Sequence, residues 1–253
     1  MPENAAGDID TAYQVRVHPR ARHVRLRMDP RAGLVVTVPA RFDRRRLPAL
    51  LEARADWIRQ ARQRQAAARA GLDCAVLGLR PRRVALAALD RSWAVVYEPA
   101  PRPRLEFREE AGNLVGLVLQ IGVLDLGRLL GKALDERVAG RLRRWLMERA
   151  QRHLAARVAA LAAEHGFAYR KVRIRNQRAR WGSCSSRGDL SLNMRLMFCS
   201  PAACDYVLLH ELVHTVHSDH SAAFWGRVAE LMPDYRHQQD RLQDVWLRLP
   251  DWI

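Results

Sequence analysis

The sequence predicts an α+β fold, in which groups of short strands alternate with longer helical stretches along the chain. Residues 24–38 first alternate apolar and arginine side chains and then become β-branched, which is typical of a half-buried hairpin. Residues 125–165 are rich in leucine, alanine and arginine at helical spacing. Ser200 and Pro201 predict the start of another helix, because serine is a favoured N-cap and proline fits the first helical position.

The first half of the chain is predicted to be a basic, β-rich region that also contains a helix. Residues 1–12 are expected to form a disordered tail. Residues 44–70 have a helical apolar side, and Pro48 is expected in the first turn of that helix or at a kink. Residues 98–104 (EPAPRPR) are expected to be an exposed loop because they are rich in proline. The strands predicted after the helix are residues 83–89, 93–97, 105–108 and 114–121.

The second half is predicted to begin with one long helix or two, with Gly140 as the possible break. Further strands are predicted at residues 171–176 and 190–195, with a turn at residues 187–189 between the arms of a hairpin. The predicted domains are an N-terminal region over residues 13–123 and a catalytic domain over residues 124–253.

The composition excludes some classes of protein. No run of about 18 consecutive apolar residues is present, which argues against a membrane span. The N-terminus is polar and acidic and lacks the basic start and apolar stretch of a signal peptide, so we expect a cytoplasmic protein. The four cysteines include no CxxC pair and form no dense disulfide framework, so we expect them to be reduced.

The net charge of +16 comes from 43 basic and 27 acidic residues, and all but two of the basic residues are arginine. An arginine bias can reflect genome composition, but the excess charge attracts polyanions whatever its origin. Two interpretations stay open: a solvated basic surface, or a surface that binds nucleic acid in a salt-dependent manner.

Residues 204–214, CDYVLLHELVH, contain an HExxH motif on the predicted helix. Residues four apart lie on one face of a helix, so His210 and His214 converge on one point, and zinc accepts imidazole nitrogens. Glu211 adjoins the first histidine and can take a proton from a water that the metal activates. A surface helix with two histidines is the alternative, but the flanking residues are apolar and would make unpaired polar groups costly. The motif predicts a zinc-dependent hydrolase of the zincin type.

A third ligand is needed, and His217 and His220 are the candidates. On a continuous helix, His217 lies about 10.5 Å along the axis from His210, at 1.5 Å per residue, so its ring would be hard to aim at the same ion. Ser218 and Asp219 are favoured N-cap residues that could begin a new helix after a turn. Such a turn would let His220 swing back to the metal, so we favour His220.

Three further residues have both a functional and a structural interpretation. Asp205 could hydrogen-bond a ligand histidine, or it could be a favourable charge in the first turn of the helix. Tyr235 could stabilise a tetrahedral oxyanion, or it could pack. Cys184, in the segment WGSC, could have a chemical role or a packing role.

Several segments together carry a family resemblance. They are RNQRARWGSCSS at residues 175–186, DLSLNMRL, DYVLLHELVH, HSDHSAAFW and MPDY, with VRLRMDPRAGLVVTVPARF and ADWI near the N-terminus. On these segments the sequence resembles the YgjP-like metallopeptidase family, which is related to the SprT-like and WLM zincins. The resemblance covers most of the chain.

The resemblance implies a compact, minigluzincin-like zincin domain with a small mixed sheet and one Zn²⁺ held by His210, His214 and His220. It also implies that the strand around residues 175–186 forms the sheet edge beside the active-site cleft, where an extended peptide could add as a further strand. The residues expected along that substrate edge are Arg175, Asn176, Arg180, Trp181 and Ser183.

These features predict a zinc metalloendopeptidase that acts on protein or peptide substrates, with Glu211 as general base. One alternative is a metal-dependent hydrolase of nucleotide phosphoanhydrides, since arginines bind phosphate. Another is a nucleic-acid-binding protein whose metal site is only structural, although a closed structural site needs no adjacent base. A combined alternative is a protease directed to DNA-bound proteins by its basic N-terminal region.

Overall fold

The computed structural model describes residues 13–29, 32–70, 79, 81–100, 106–110, 113–119 and 132–253. The chain divides into two compact units: Met1–Leu72 with Trp246–Arg248, and Asp73–Val245 with Leu249–Ile253. The division does not fall at residues 123–124, where the sequence analysis placed it, because strands before that point pack with later helices inside the second unit. The tail predicted at residues 1–12 lies outside the described residues.

A three-stranded sheet forms the centre of the first unit. β1 (Tyr13–His18) pairs parallel with β3 (Gly33–Pro39), and β2 (Arg25–Asp29) pairs antiparallel with β3 on its other side. The predicted hairpin is therefore confirmed, and β1 is a further strand. The buried core of this unit consists of Leu34, Val36, Val38, Leu47, Leu51 and Ile58.

Residues 44–70 do not form the single helix that the sequence predicted. A short 3₁₀ turn leads into α1 (Leu47–Glu52), and α2 (Ala55–Ala70) follows after a break. The break comes where the Arg54 N–H bonds to the Leu51 carbonyl, an i−3 bond that tightens and ends the first helix. Pro48 lies in the first turn of α1, as expected, where its missing N–H loses no helical bond.

A four-stranded sheet in the second unit has the order β4–β5–β7–β6. Its strands are β4 (Arg83–Leu86), β5 (Arg91–Ala100), β6 (Glu106–Glu110) and β7 (Asn113–Leu119). The four predicted strands are therefore present, but the first ends at Leu86 and continues as a 3₁₀ turn. β5 extends to Ala100, so residues 98–100 of the expected loop are a strand; residues 101–104 lie outside the described part.

One long helix, α3 (Lys132–His165), follows, and Gly140 does not break it. A Cβ at Gly140 would meet only the Nη2 atom of Arg143, at 3.9 Å. This glycine therefore destabilises the helix only through its low helix propensity, by about 1 kcal/mol relative to alanine. Residues 125–131 lie outside the described residues. Within the described ranges, no helix combines the length and apolar character needed to cross a membrane. The buried apolar stripe of α3 is Val138, Leu142, Leu146, Leu154, Val158 and Leu161.

A small mixed sheet of order β8–β10–β9 lies next in the chain. β10 (Asp189–Asn193) is its central strand and pairs parallel with β8 (Lys171–Arg175) and antiparallel with β9 (Gly182–Cys184). The sequence therefore predicted the existence of this sheet correctly. β9 is an edge strand, and no other described strand pairs with its outer side.

Three helices complete the chain: α4 (Pro201–Val213), α5 (Ala222–Leu231) and α6 (Tyr235–Arg248). Ser200 caps α4 as predicted, because its Oγ accepts a hydrogen bond from the Ala203 N–H at 3.3 Å. The predicted helix start at Ser218-Asp219 is wrong. α5 begins at Ala222, and the Asp219 carboxylate instead accepts a bond from the Ser221 N–H.

Candidate metal centre

α4 carries the HExxH motif through the interior of the second unit. The helix contacts α3, α5 and β9, and its apolar side chains are buried on most sides. Glu211 is 5% exposed, while His210 and His214 are half-buried. The burial predicted from the apolar residues that flank the motif is therefore confirmed.

A tight turn at the end of α4 reverses the chain. The Thr215 N–H bonds to the Leu212 carbonyl at 2.9 Å, and the Val216 N–H bonds to the Val213 carbonyl at 3.0 Å. These i−3 bonds end the helix. The following residues fold back until His220 lies beside the two histidines of the motif.

Three imidazoles meet at one point. The Nε2 atom of His220 lies 3.2 Å from Nε2 of His214 and 3.2 Å from Nε2 of His210. A tetrahedral zinc ion with Zn–N bonds of about 2.0–2.1 Å would separate its nitrogen ligands by about 3.3 Å. The donor set and its spacing therefore fit a tetrahedral ion, and these three side chains are the candidate ligands.

A main-chain contact orients His214, the second candidate ligand. His214 Nδ1 lies 2.9 Å from the carbonyl oxygen of His217, which only accepts, so Nδ1 donates and Nε2 is left with a free lone pair. The ring of His217 is not part of the triad. His217 therefore contacts a candidate ligand through its backbone carbonyl and not through its ring.

Burial favours the neutral form of His210 and His214, two of the candidate ligands. It lowers the pKa of His210 to about 4, with smaller effects from the neighbouring His214 and His220. Burial also lowers the pKa of His214, against the opposing hydrogen bond to His217. A neutral imidazole has the lone pair that a metal requires, so these two rings are prepared as ligands at neutral pH.

Glu211 is a buried carboxyl group with an unsatisfied atom. Burial raises its pKa to about 7, and the nearby positive charge of Arg180 opposes that rise. Its Oε2 atom has no hydrogen-bond partner among the described residues. A carboxylate in this condition needs a further partner, and the positive charge of a metal with its water would supply one.

The ligands and the glutamate line one cavity. Its volume is about 420 Å³, which is large enough for a few substrate residues. The opposite wall is formed by Gly182–Cys184 of β9 and the two serines that follow. The cavity therefore lies between the motif helix and the edge strand of the small sheet.

An aromatic cluster supports the triad. The ring of Phe224 is fully buried, and its centroid lies 4.9, 4.4 and 4.8 Å from the rings of His210, His214 and His220. In the sequence, Phe224 stands out only as part of the segment HSDHSAAFW. Its contact with all three ligands depends on the turn before α5, which the sequence does not reveal.

Tyr235 lies in the same cluster, beyond Trp225. Its ring stacks on Trp225 at 5.4 Å and on Tyr206 at 6.4 Å. Tyr235 is not among the described residues that line the cavity. A role for its hydroxyl in stabilising an oxyanion therefore stays a prediction.

Asp205 does not hydrogen-bond a ligand histidine, which corrects one of the two interpretations drawn from sequence. Its two carboxylate oxygens accept bonds from Nε and Nη2 of Arg157 on α3, at 2.8 and 2.7 Å. The reason is the helical phase: five residues before His210, Asp205 points about 140° away from it.

The edge strand beside the cavity is shorter than the predicted substrate edge. Residues 175–186 are not one strand, because a loop at residues 176–181 separates β8 from β9. β8, which ends at Arg175, lies on the far side of β10 from β9. Of the five residues expected on the edge, Ser183 lines the cavity, whereas the following do not: Arg175, Asn176, Arg180 and Trp181.

Cys184 also lines the cavity, and burial raises the pKa of its thiol to about 11. Cys199 and Cys204 are buried, and all three thiols are free; Cys74 lies outside the described residues. A neutral thiol is a poor nucleophile, so Cys184 is better suited to packing than to chemistry.

Comparison with known proteins agrees with the site. The family model of the YgjP-like metallopeptidase domain matches residues 22–245. Among solved structures, the chain is similar to the metallopeptidase zymogen abylysin of Pyrococcus abyssi, with 23% identity over 38% of this chain and 96% of that chain and a TM-score of 0.34. None of the curated proteins matches significantly. Because the family match covers most of its length, the chain belongs to the YgjP-like metallopeptidase family.

Proposed function

We propose that this protein is a zinc-dependent endopeptidase, in which His210, His214 and His220 hold the ion and Glu211 is the general base. The observation that carries the proposal is the position of Glu211. Its carboxyl group is buried, has an unsatisfied oxygen and lines the same cavity as the three converging imidazoles.

The donor set favours zinc over oxygen-seeking divalent ions such as Mg²⁺ and Ca²⁺. Three imidazoles, with Nε2 of His220 3.2 Å from Nε2 of His210 and from Nε2 of His214, suit a four-coordinate ion with one position left for water or substrate. When bound, zinc supplies Lewis-acid chemistry, because it acidifies water and polarises a carbonyl group.

Glu211 performs the proton transfers. As a carboxylate it takes a proton from the attacking water, and as a carboxylic acid it returns that proton to the leaving amine nitrogen. Burial raises its pKa to about 7, and a bound cation would lower it again, so the carboxylate that takes the proton is the main form at neutral pH.

The free side of β9 is the proposed binding site for an extended peptide. Its N–H and C=O groups have no described strand beside them, and the same strand forms a wall of the cavity. A peptide that adds along such an edge is held by main-chain hydrogen bonds through an internal segment. This favours cleavage within a chain over removal of a terminal residue.

The test is Glu211→Gln in the full-length protein. We expect the variant to keep about one zinc per chain, measured by elemental analysis, and to lose peptide hydrolysis by more than about a hundredfold. The matched control is Glu230→Gln, an exposed glutamate on α5 that pairs with Arg227. New protein termini, compared between cells with wild-type and Glu211→Gln protein, would identify substrates.

Two results would overturn the proposal. Unchanged peptide hydrolysis in Glu211→Gln would show that Glu211 is not the base. Hydrolysis of nucleoside triphosphates but of no peptide, lost in the same variant, would favour the phosphoanhydride alternative.

Nucleic acid is a proposed partner of the N-terminal part. Residues 13–70 contain fifteen arginines and four acidic residues, so much of the excess charge lies there. We expect DNA binding that weakens steeply between 50 and 200 mM salt, at about 0.9 log units per log unit of salt for each phosphate contact. Absent or salt-insensitive binding would assign the charge to solvation.

A further inference from the structure

Gly182 lies against the carboxyl group of Glu211. A Cβ atom added at Gly182 would stand 2.5 Å from Oε1, 2.7 Å from Cγ and 2.9 Å from Cδ of that side chain. Non-bonded carbon atoms come no closer than about 3.5 Å without strain. The φ angle of Gly182 is not in the left-handed region, so glycine is required here for space and not for backbone conformation.

Glu211 cannot move away from such a Cβ without losing its place in the cavity. The side chain is 5% exposed on a helix whose neighbouring residues are buried. Because Cγ as well as the carboxyl group lies within 3 Å, relief of the clash requires a change of rotamer, not a small rotation of the carboxyl plane.

β9 cannot move away either, because Asn193 holds the chain that leads into it. The Nδ2 group of Asn193, which is fully buried, donates to the carbonyl oxygens of Gln177 and Arg180, both at 2.8 Å. The backbone N–H of Asn193 donates to the carbonyl of Trp181, also at 2.8 Å. The loop is thus tied to β10 up to the residue before Gly182.

We propose that Gly182 is a positioning residue for the general base. Its missing side chain lets the main chain of β9 lie flat against Glu211, and Asn193 keeps that strand in place. The carboxyl group is thereby held where it lines the same cavity as the three histidines. The catalytic part of this inference rests on the proposed function, whereas the contact itself does not.

A double-mutant cycle on stability tests the contact without any use of activity. Gly182→Ala is made in the wild-type chain and in the Glu211→Ala chain, which lacks all three atoms that the new Cβ would meet. We expect Gly182→Ala to lower the melting temperature by about 3–10 °C in the wild type and by less than about 1 °C in Glu211→Ala. Gly226→Ala on α5, where a Cβ meets nothing within 4 Å, is the matched control. It should not lower the melting temperature of the wild type or of Glu211→Ala.

Kinetics test the consequence for catalysis. Gly182→Ala should keep its zinc content and a KM within about twofold, while kcat falls at least about tenfold, because a misplacement of about 1 Å can cost a hundredfold. Gly226→Ala should keep wild-type kcat. An unchanged kcat in folded Gly182→Ala, with or without a change in KM, would overturn the positioning role.

Each result of the cycle is decisive. An equal loss of stability in both backgrounds overturns the contact. If Gly182→Ala alone yields no folded protein, a folded double variant supports the contact and an unfolded one overturns it. If the wild type cleaves no peptide, the proposed function fails while the cycle still decides the contact.

Discussion

His214 donates a hydrogen bond from Nδ1 to the main-chain carbonyl of His217, three residues further along the chain, at 2.9 Å. The bond forms because α4 ends at Val213 and the next residues turn tightly. It selects the tautomer of His214 that presents Nε2 to an ion. His217, the other candidate for the third ligand, thus contacts the candidate ligand His214 through its backbone carbonyl.

Substitution of the two later histidines should have opposite effects. His220→Ala removes a ligand and should weaken zinc binding by more than about a hundredfold, whereas His217→Ala keeps its carbonyl and should stay within about threefold. Competition with a chromogenic chelator measures both affinities. Zinc loss in His217→Ala with retention in His220→Ala would exchange their roles.

Asp205→Asn should reduce stability without any effect on zinc affinity. The bidentate pair with Arg157 lies between α4 and α3 and is partly exposed, with 19% of the aspartate side chain and 39% of the arginine side chain accessible. We expect a loss of about 1 kcal/mol in urea unfolding, reduced by that exposure. Glu230→Gln, at the more exposed pair with Arg227, should cost less than about 0.5 kcal/mol. A weaker zinc affinity in Asp205→Asn would contradict this prediction and would show that Asp205 contributes to metal binding.

His153 should make the protein less stable in mild acid. Burial on α3 lowers its pKa below 6.5; nearby Asp205 opposes this shift and Arg157 adds to it. The folded state then binds fewer protons than the unfolded state as pH falls below about 6.5. Stability is therefore retained above that pH and declines from there towards the lower pKa of the folded state.

The measurement is the free energy of unfolding from pH 8 to pH 5 for the wild type and for His153→Gln. The difference between the two curves should be constant above about pH 7 and should change in favour of the variant below about 6.5. Parallel curves over the whole range would show that His153 does not contribute.

Asn193→Ala should be strongly destabilising. The change removes the donor to Gln177 and Arg180 and leaves two carbonyl groups without that partner, beside a fully buried site. A loss of about 2–4 kcal/mol is expected in urea unfolding. Ser191→Ala in the same strand is the control, because the Ser191 hydroxyl accepts one long hydrogen bond of 3.4 Å. Its loss should lower the free energy of unfolding by less than about 0.5 kcal/mol. Equal losses in the two variants would show that Asn193 does not hold the loop.

Local signals predicted the elements that depend on near neighbours. The first hairpin, the helix that begins at Ser200-Pro201 and the small sheet follow from apolar period, capping and turn residues, and the structure confirms them. The single helix predicted over residues 44–70 is wrong, because the helix breaks at Ala53–Arg54, and the helix start predicted at Ser218-Asp219 is wrong, because α5 begins at Ala222. Neither boundary is marked by a proline or glycine, so packing and single hydrogen bonds decide where α1 ends and where α5 begins.

Two candidate metal ligands and a candidate base could be predicted from the sequence, because a four-residue spacing on one helix brings His210 and His214 together and places Glu211 beside them. How these groups are held depends on the tertiary structure. The approach of Gly182 to Glu211 and the contact of Phe224 with three imidazoles join residues from different elements of the chain. Local periodicity carries no information on such distances; they arise when a strand, a turn and a helix pack around one buried carboxyl group.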